Sequence, residues 1–203
     1  MAVAVIYFRK LIENKKMYPK ILAAFLPSAI IGFILYKFIK QYLIGNPQIV
    51  LISLFIGGIL LIILERILAK TKTRNDLTIE ELDFKSCLLV GLSQTVSMIP
   101  GVSRAAATII GGMSVGLSRS SAVEFSFLLA VPTMAAATGL DLIKSYQYFS
   151  VQDIKLLIIG FIVSFISAKI AVSWLIKFIK NHSLAAFGAY RIVLAITFWI
   201  FIK

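Results

Sequence analysis

The segment Gln94-Thr-Val-Ser-Met-Ile-Pro-Gly-Val-Ser-Arg-Ala-Ala-Ala-Thr108 places an arginine, several hydroxyl side chains and a Pro-Gly break within an otherwise apolar region. Residues 86–99 before the break and residues 105–118 after it carry no charge. A dozen helical residues span about 18 Å, whereas the hydrocarbon core of a bilayer is about 30 Å thick. Pro100 disfavours helix at the preceding residue, and Gly101 permits a sharp turn. The segment therefore predicts two half-helices that meet near the membrane midplane.

The start of the second half-helix has the features of an anion-binding site. Its expected first residues are Ser103, which can cap a free backbone amide, and Arg104. Free amides and the positive end of the helix dipole attract an anion, and a guanidinium matches phosphate oxygens with a fork of donors. Thr108 lies one turn further on the face of Arg104, where its hydroxyl adds a donor. We interpret these residues as a phosphate or diphosphate pocket. The alternative is that Ser103 only caps the helix, while Arg104 snorkels to the surface or pairs with an acid.

The composition is that of a membrane protein. Of 203 residues, 60% are hydrophobic and 15% are charged, against about a quarter charged in soluble domains. The net charge of +12 comes from basic residues in short loops, without a basic face or interleaved aromatic residues, so nucleic acid is not an expected partner. The expected fold is a single all-α polytopic membrane domain over residues 1–203. It is a transmembrane helix bundle with a re-entrant broken helix pair at about residues 87–118.

Apolar runs predict the membrane spans, and basic residues predict their orientation. The spans are expected at residues 21–39, 49–64, 125–140, 154–176 and 183–202. Pro132 interrupts one of them, and residues 69–85 and 141–155 are expected to be polar connections. If the broken pair returns to the side from which it enters, 13 of the 21 Lys and Arg residues lie on one side of the membrane. The positive-inside rule makes that side cytoplasmic.

Four further charged residues lie within or beside the apolar spans, and two of them have competing interpretations. Glu65 and Arg66 are expected to form a charged pair at a water boundary. The stretch Ser121-Ala-Val-Glu124 matches a capping box, which gives Glu124 an ordinary role, although a role at the site is the alternative. Arg191 lies near the middle of the last span, where it either lines the same cavity or pairs with an acid.

Metal ligands are not expected within this chain. Cys87 is the single cysteine and His182 is the single histidine, and they lie far apart in the sequence. One thiol and one imidazole make neither a metal-ligand pattern nor a disulfide.

Several short motifs together resemble one known family. They are Gly91-Leu-Ser-Gln94, Ile99-Pro-Gly-Val-Ser-Arg104, Thr108, Gly116-Leu-Ser-Arg119 and Glu124-Phe-Ser-Phe-Leu-Leu-Ala-Val-Pro132, with weaker similarity at Leu26-Pro-Ser-Ala-Ile-Ile-Gly32 and Tyr190-Arg-Ile192. Their order and spacing are similar to those of the bacterial undecaprenyl-diphosphatase family. These are integral membrane phosphatases also known for bacitracin resistance.

The resemblance implies a fold and an activity. The fold would be all-helical and built from two inverted repeats, each with a re-entrant helix pair, of which this chain holds one half. The activity would be removal of the terminal phosphate from undecaprenyl diphosphate, which returns the lipid carrier to peptidoglycan synthesis. Such an enzyme is a multi-pass protein of the bacterial inner membrane, and a homo-oligomer is compatible with it.

The same resemblance implies roles for individual residues. Ser103, Arg104 and Thr108 would be the catalytic residues on the phosphates. Gln94 would be a further substrate-binding residue, together with Pro100 and Gly101 of the break. A divalent cation, magnesium or calcium, is implied as a cofactor, and this chain carries no recognisable ligands for it.

Two departures from the family pattern shape the expectation. Ala105 occupies a position where serine is common. The family's first repeat supplies a glutamate-rich motif and a histidine, and nothing similar is present here. Because residues 1–8 read as the end of a membrane helix, we expect the chain to be N-terminally truncated and to bind anions better than it hydrolyses them. The alternatives are a transporter or lipid-carrier translocase with an anion site at the broken helix, and an inactive C-terminal fragment.

Overall fold

A computed structural model describes residues 2–7, 12–70, 77–145 and 151–201. Within these ranges the chain is helical apart from short connections. The helices are α1 (Ala2–Ile6), α2 (Met17–Phe38), α3 (Pro47–Lys70), α4 (Phe84–Thr95), α5 (Arg104–Ser114), α6 (Arg119–Ser145), α7 (Val151–Asn181) and α8 (Ala185–Phe201). A π turn at Ile39–Leu43 extends α2, and 3-10 turns lie at Ile79–Glu81 and Val96–Met98.

The expected class, an all-α polytopic membrane protein, is confirmed. Four helical segments of the described chain are long and apolar enough to cross a membrane: Met17–Leu43, Pro47–Ile67, Arg119–Ser145 and Ile154–Ile179. The last expected span is the shorter helix α8, of 17 residues. The expected polar connection at 141–155 is wrong at both ends, because α6 continues to Ser145 and α7 begins at Val151. Charged residues there mark the edge of the apolar run and do not end the helices.

Helices α4 and α5 form a hairpin around the Pro-Gly break. The N–H of Leu77 donates to the Gly116 carbonyl (3.1 Å), and the N–H of Ser118 donates to the Leu77 carbonyl (3.2 Å). These bonds hold the entry to α4 beside the exit from α5. The two helices have 12 and 11 residues, so each is about half the length of a membrane span. The chain therefore enters and leaves this hairpin on the same side.

Small residues let the hairpin pack closely against its neighbours. A side-chain Cβ at Gly91 would overlap the Ala24 carbonyl oxygen, so α4 meets α2 backbone to backbone. On the other side of the bundle, a Cβ at Gly58 would lie 2.7 Å from the Gly188 carbonyl oxygen, which brings α3 against α8. Close approach at glycine is the usual way for membrane helices to pack. Glycine contacts therefore join α4 of the hairpin to α2, and α3 to α8.

Two sequence interpretations at the helix ends are wrong. Glu65 is buried, at 3% exposure, and forms its ion pair with Arg119 rather than with Arg66. Helix α3 continues past this point, and neighbouring residues on a helix do not face each other. The expected capping box at Ser121 is also wrong. Ser118 accepts the hydrogen bond from the Ser121 N–H (3.1 Å), because α6 begins one turn earlier than expected.

Candidate anion site at the hairpin apex

The apex of the hairpin is a tight turn that only glycine can form without strain. Gly101 has a φ of +94°, and a Cβ at this position would lie 2.6 Å from the Val50 carbonyl oxygen of α3. The turn is closed by the Val102 N–H, which donates to the Ile99 carbonyl (3.0 Å). The break predicted at Pro100 and Gly101 therefore follows the 3-10 turn after α4 and is where the chain reverses.

Helix α5 begins directly after this turn, with free amides at its start. Ser103 is the cap, as predicted, and its hydroxyl oxygen accepts from the Ala106 N–H (3.3 Å). The amides of Arg104 and Ala105 come earlier in the first turn, where a helix supplies no carbonyl partner. Residues 101–107 are half-buried, so a ligand that reaches them is partly shielded from solvent. Free amides and the helix dipole favour an anion at this point.

Arg104 adds a positive charge that no described carboxylate neutralises. Its Nη1 donates to the Ser126 carbonyl of α6 (2.9 Å), and the side chain is half-buried. A guanidinium has five N–H donors, and this contact uses one of them. Within the described part of the chain, Arg104 forms no ion pair. The remaining donors are available to a phosphate.

Thr108 is placed behind Arg104, between α5 and α6. It is fully buried, and its hydroxyl lies 2.6 Å from the Ser126 hydroxyl and 2.9 Å from the Arg104 carbonyl, to which it donates. These contacts fix the first turn of α5 against α6. A direct contact between Thr108 and a phosphate therefore stays a prediction, whereas its contact with the helix that carries Arg104 is present.

Gln94 belongs to a different network from the apex residues. It is buried, at 2% exposure, and its Nε2 donates to the hydroxyls of Ser28 (2.6 Å) and Thr133 (3.2 Å). Both hydroxyls donate in turn to backbone carbonyls, so they act as acceptors toward Gln94, which fixes the orientation of the amide. Its Oε1 is buried without a partner among the described residues. The network lines an apolar cavity of about 430 Å³ between α2 and α6.

Arg191 reaches the apex from α8. Its Nη2 donates to the Gly101 carbonyl, across 90 positions of sequence. Of the two interpretations that the sequence left open, pairing with an acid is not seen among the described residues, and Arg191 contacts the apex turn. The site thus brings together Gly101, Ser103 and Arg104 with Thr108 behind them, and Arg191 joins from a distant helix.

Sequence reasoning gave no chemical role to Ser28, Ser126 or Thr133. Ser126 and Ser28 lie within motifs quoted above for the family resemblance, and Thr133 follows one of them. Ser126 and Thr133 are seven residues apart, which places them on one face of α6. A search for hydroxyl residues at helical spacing within the apolar spans would have found this pair.

The described residues contain no cluster of acidic, histidine and cysteine side chains that could hold a metal ion. No three side chains of His, Cys, Asp or Glu come together within residues 2–7, 12–70, 77–145 and 151–201. Glu124, for which the sequence left two roles open, is half-buried and lines a separate cavity of about 250 Å³ with Tyr7 and Ser120. It is therefore placed outside the contacts that hold the apex.

Comparison with known proteins gives a consistent result over nearly the whole chain. A family model described as bacitracin resistance protein BacA matches residues 1–197. An undecaprenyl-diphosphatase of Aquifex aeolicus is 50% identical over 198 residues, which cover 98% of this chain and 77% of that protein. Proteins of the same name from Sulfurihydrogenibium sp. and Persephonella marina are 46% and 40% identical, and this chain covers 78% of each.

Proposed function

Because the chain belongs to the bacitracin resistance protein BacA family, we propose that it hydrolyses undecaprenyl diphosphate to undecaprenyl phosphate. The reaction returns the lipid carrier to peptidoglycan synthesis and confers bacitracin resistance. Each of the three relatives described above carries the name of this activity, and nothing in the comparisons favours a transporter or translocase.

One observation supports placing the reaction at the hairpin apex. Arg104 is a half-buried cation without a described carboxylate partner, and it stands at the N-terminus of a helix inside a membrane protein. Charged side chains are costly within a bilayer and are usually retained there for function. A diphosphate supplies the negative charge that this position lacks. The lipid tail of the substrate stays within the hydrocarbon layer while its headgroup reaches the apex.

The residues of the apex have separate roles in the proposed reaction. Hydrolysis forms a bond from a water oxygen to the terminal phosphorus and breaks the bond from that phosphorus to the bridging oxygen. Arg104 and the free amides at the start of α5 bind the phosphoryl oxygens, where negative charge must be stabilised. The Ser103 hydroxyl oxygen caps the helix, so its hydrogen is free to donate to the phosphate. Thr108 holds the first turn of α5 in place.

The divalent cation implied by the family resemblance has no ligand set among the described residues. We therefore assign no step of the reaction to it, and its requirement is a separate proposal. If magnesium or calcium assists, removing divalent cations with EDTA lowers phosphate release, and adding either ion restores it. Release that is equal with and without EDTA would remove the cation from the proposal.

The location and orientation of the protein are also proposals. The chain is a multi-pass membrane protein. We propose that it lies in the bacterial inner membrane, because the proposed substrate is a lipid carrier of cell-wall synthesis. The side that contains the start of α6 and the entry to α4 carries most of the basic loops and is cytoplasmic by the positive-inside rule. Cysteine-accessibility labelling at the two ends of α6 tests this orientation.

The function is tested by measuring phosphate release from undecaprenyl diphosphate in detergent with magnesium or calcium. Wild-type protein is compared with Arg104→Met and with Arg66→Met, a matched change at an exposed arginine of α3. We expect release by wild type and by Arg66→Met, and loss of at least about 10³-fold in Arg104→Met, on the scale of removing an arginine from a phosphoryl-transfer site. Movement of labelled lipid across vesicles without phosphate release would instead favour a translocase.

A further inference from the structure

Arg191 of α8 contacts the backbone of the apex without belonging to the helix hairpin. Its Nη2 donates to the carbonyl of Gly101, the residue that makes the turn, and its Nε is buried without a partner among the described residues. No described carboxylate pairs with it. A half-buried guanidinium whose described partner is a backbone carbonyl is only partly compensated for the loss of water.

The packing of α3 against α8 leaves room for the Arg191 side chain to reach the apex. A Cβ added at Gly57 would lie 3.0 Å from Arg191 Nη2, so the absence of a side chain there leaves the space that the guanidinium occupies. One residue further, a Cβ at Gly58 would lie 2.7 Å from the Gly188 carbonyl oxygen and 3.4 Å from Arg191 Cβ. The two glycines therefore have different tasks. Gly58 lets the helix backbones meet, and Gly57 lets Arg191 pass toward the apex.

We propose that Arg191 is a positioning residue of the diphosphate site. By holding the Gly101 carbonyl it fixes the peptide that leads into Val102 and Ser103, and so sets the direction of the free amides at the start of α5. Its charge also lowers the electrostatic cost of bringing a diphosphate to the apex. The inference rests on the proposed function, because it concerns the same site.

Kinetics of two substitutions test this role. Arg191→Met removes the charge and the donors, and we expect kcat/KM for phosphate release to fall by about 10²-fold, chiefly through kcat, because small displacements of positioning groups cost the transition state more than the bound substrate. Arg191→Lys keeps a positive charge and a donor for Gly101, so it should recover activity to within about tenfold of wild type. The melting temperature of each purified variant is measured alongside, so that loss of folded protein is separated from loss of turnover.

A third substitution displaces Arg191 without altering it. Gly57→Val fills the space beside the guanidinium and should reproduce the kcat defect of Arg191→Met. Gly160→Val is the matched control, since a Cβ at Gly160 in α7 meets nothing within 4 Å. Unchanged kcat in Arg191→Met or in Gly57→Val would overturn the proposal. It would equally be overturned if the unfolded fraction accounted for the whole loss of activity, or if Lys rescued no better than Met.

A second readout separates this inference from the proposed function. The amide of Val102 closes the apex turn, and its hydrogen exchange can be measured in the unliganded protein. We expect faster exchange at Val102 in Arg191→Met than in wild type, and no change in Gly160→Val. If wild-type protein releases no phosphate, the proposed function fails. Exchange at Val102 then still decides whether Arg191 holds the apex, and equal rates in wild type and variant would refute it.

Discussion

The chain contains the pattern Gly-x-Ser-Arg twice, at 101–104 and at 116–119, and the two copies build the same local structure. Each glycine has a positive φ, of +94° and +98°. Each serine caps the helix that follows, through the amides of Ala106 and Ser121, and each arginine is the first residue of that helix. In backbone conformation and helix capping, the apex of the hairpin and the start of α6 are therefore equivalent.

The partners of the two arginines differ. Arg119 forms an ion pair with the buried Glu65 and donates to the His182 carbonyl (2.8 Å), so it joins α3, α6 and the turn before α8. Arg104 donates to the Ser126 carbonyl and forms no ion pair in the described part of the chain. A carboxylate neutralises the first arginine and makes it structural. We propose that the second keeps its charge for an anion that comes from outside the chain.

The largest effect is expected from giving Arg104 a carboxylate of its own. In Thr108→Asp, the new side chain lies one turn from Arg104 on the same helix face and pairs with it, as Glu65 pairs with Arg119. We expect phosphate release to fall by about 10³-fold, because the guanidinium no longer neutralises the phosphoryl group. Thr108→Asn has the same size without the charge and should lose far less. Equal losses in the two variants would contradict the account.

The reverse change makes Arg119 resemble Arg104. Glu65→Gln leaves a partly buried guanidinium without its carboxylate, and we expect the free energy of unfolding to fall by about 3 kcal/mol. Turnover per folded molecule should stay at the wild-type value. Thermal unfolding in detergent measures the loss, and the double substitution Glu65→Leu with Arg119→Met should recover most of it. A stable Glu65→Gln protein with no activity would place Arg119 in the site instead.

A smaller effect is expected at the contact that fixes α5 against α6. Ser126→Ala removes the hydroxyl that lies 2.6 Å from Thr108, while the Ser126 backbone carbonyl remains for Arg104. Loss of one buried hydrogen bond should lower the free energy of unfolding by about 1–2 kcal/mol. Turnover should fall only a few-fold, since Thr108 keeps its bond to the Arg104 carbonyl. The exposed Ser120→Ala is the control, and a loss as large as that of Thr108→Asp would show that Ser126 acts on substrate directly.

The smallest effect is expected on stability at low pH, and it comes from Glu81 in the exposed connection before α4. Hydrogen bonds from the backbone and then the side chain of Thr78 lower the pKa of Glu81 below its usual value. The folded state therefore holds the proton less tightly than the unfolded state does. The Glu81 carboxylate therefore stabilises the folded state at pH values above its pKa in the unfolded state. This stabilisation is lost as the pH falls through its pKa in the folded state. The fall in melting temperature between about pH 6 and pH 3 should be slightly smaller in Glu81→Gln than in wild type. An equal fall in the two proteins would exclude a contribution from this cap.

The break and the cap were predictable because they depend on neighbouring residues. Pro100 and Gly101 act on their own backbone, and Ser103 caps an amide three residues away, so the sequence alone placed the apex and the start of α5 correctly. The same reasoning failed at Ser121, where two serines compete for the cap and Ser118 comes first. Local rules identify a helix start to within about a turn.

The partners of the charged residues were not predictable in this way. Glu65 pairs with Arg119, and Arg191 donates to Gly101. The partners in each contact are far apart in the sequence, and only the packing of α3 with its neighbours brings them together. Gln94, whose contact with the phosphate stays a prediction, joins Ser28 and Thr133 from two other helices. Tertiary contacts determine which arginine of the two Gly-x-Ser-Arg copies has a carboxylate partner. The pattern itself does not predict this difference.

Hydrogen exchange at the two helix starts tests the central claim most directly. Exchange of the amides of Arg104 and Ala105 is compared with that of the first amides of α6, in the presence and absence of undecaprenyl diphosphate. We predict that the lipid slows exchange at 104–105 by at least about tenfold, since phosphate oxygens then occupy the free amides, and leaves residues 119–120 unchanged. Protection at the start of α6, or at neither place, would contradict the assignment of the diphosphate to the hairpin apex.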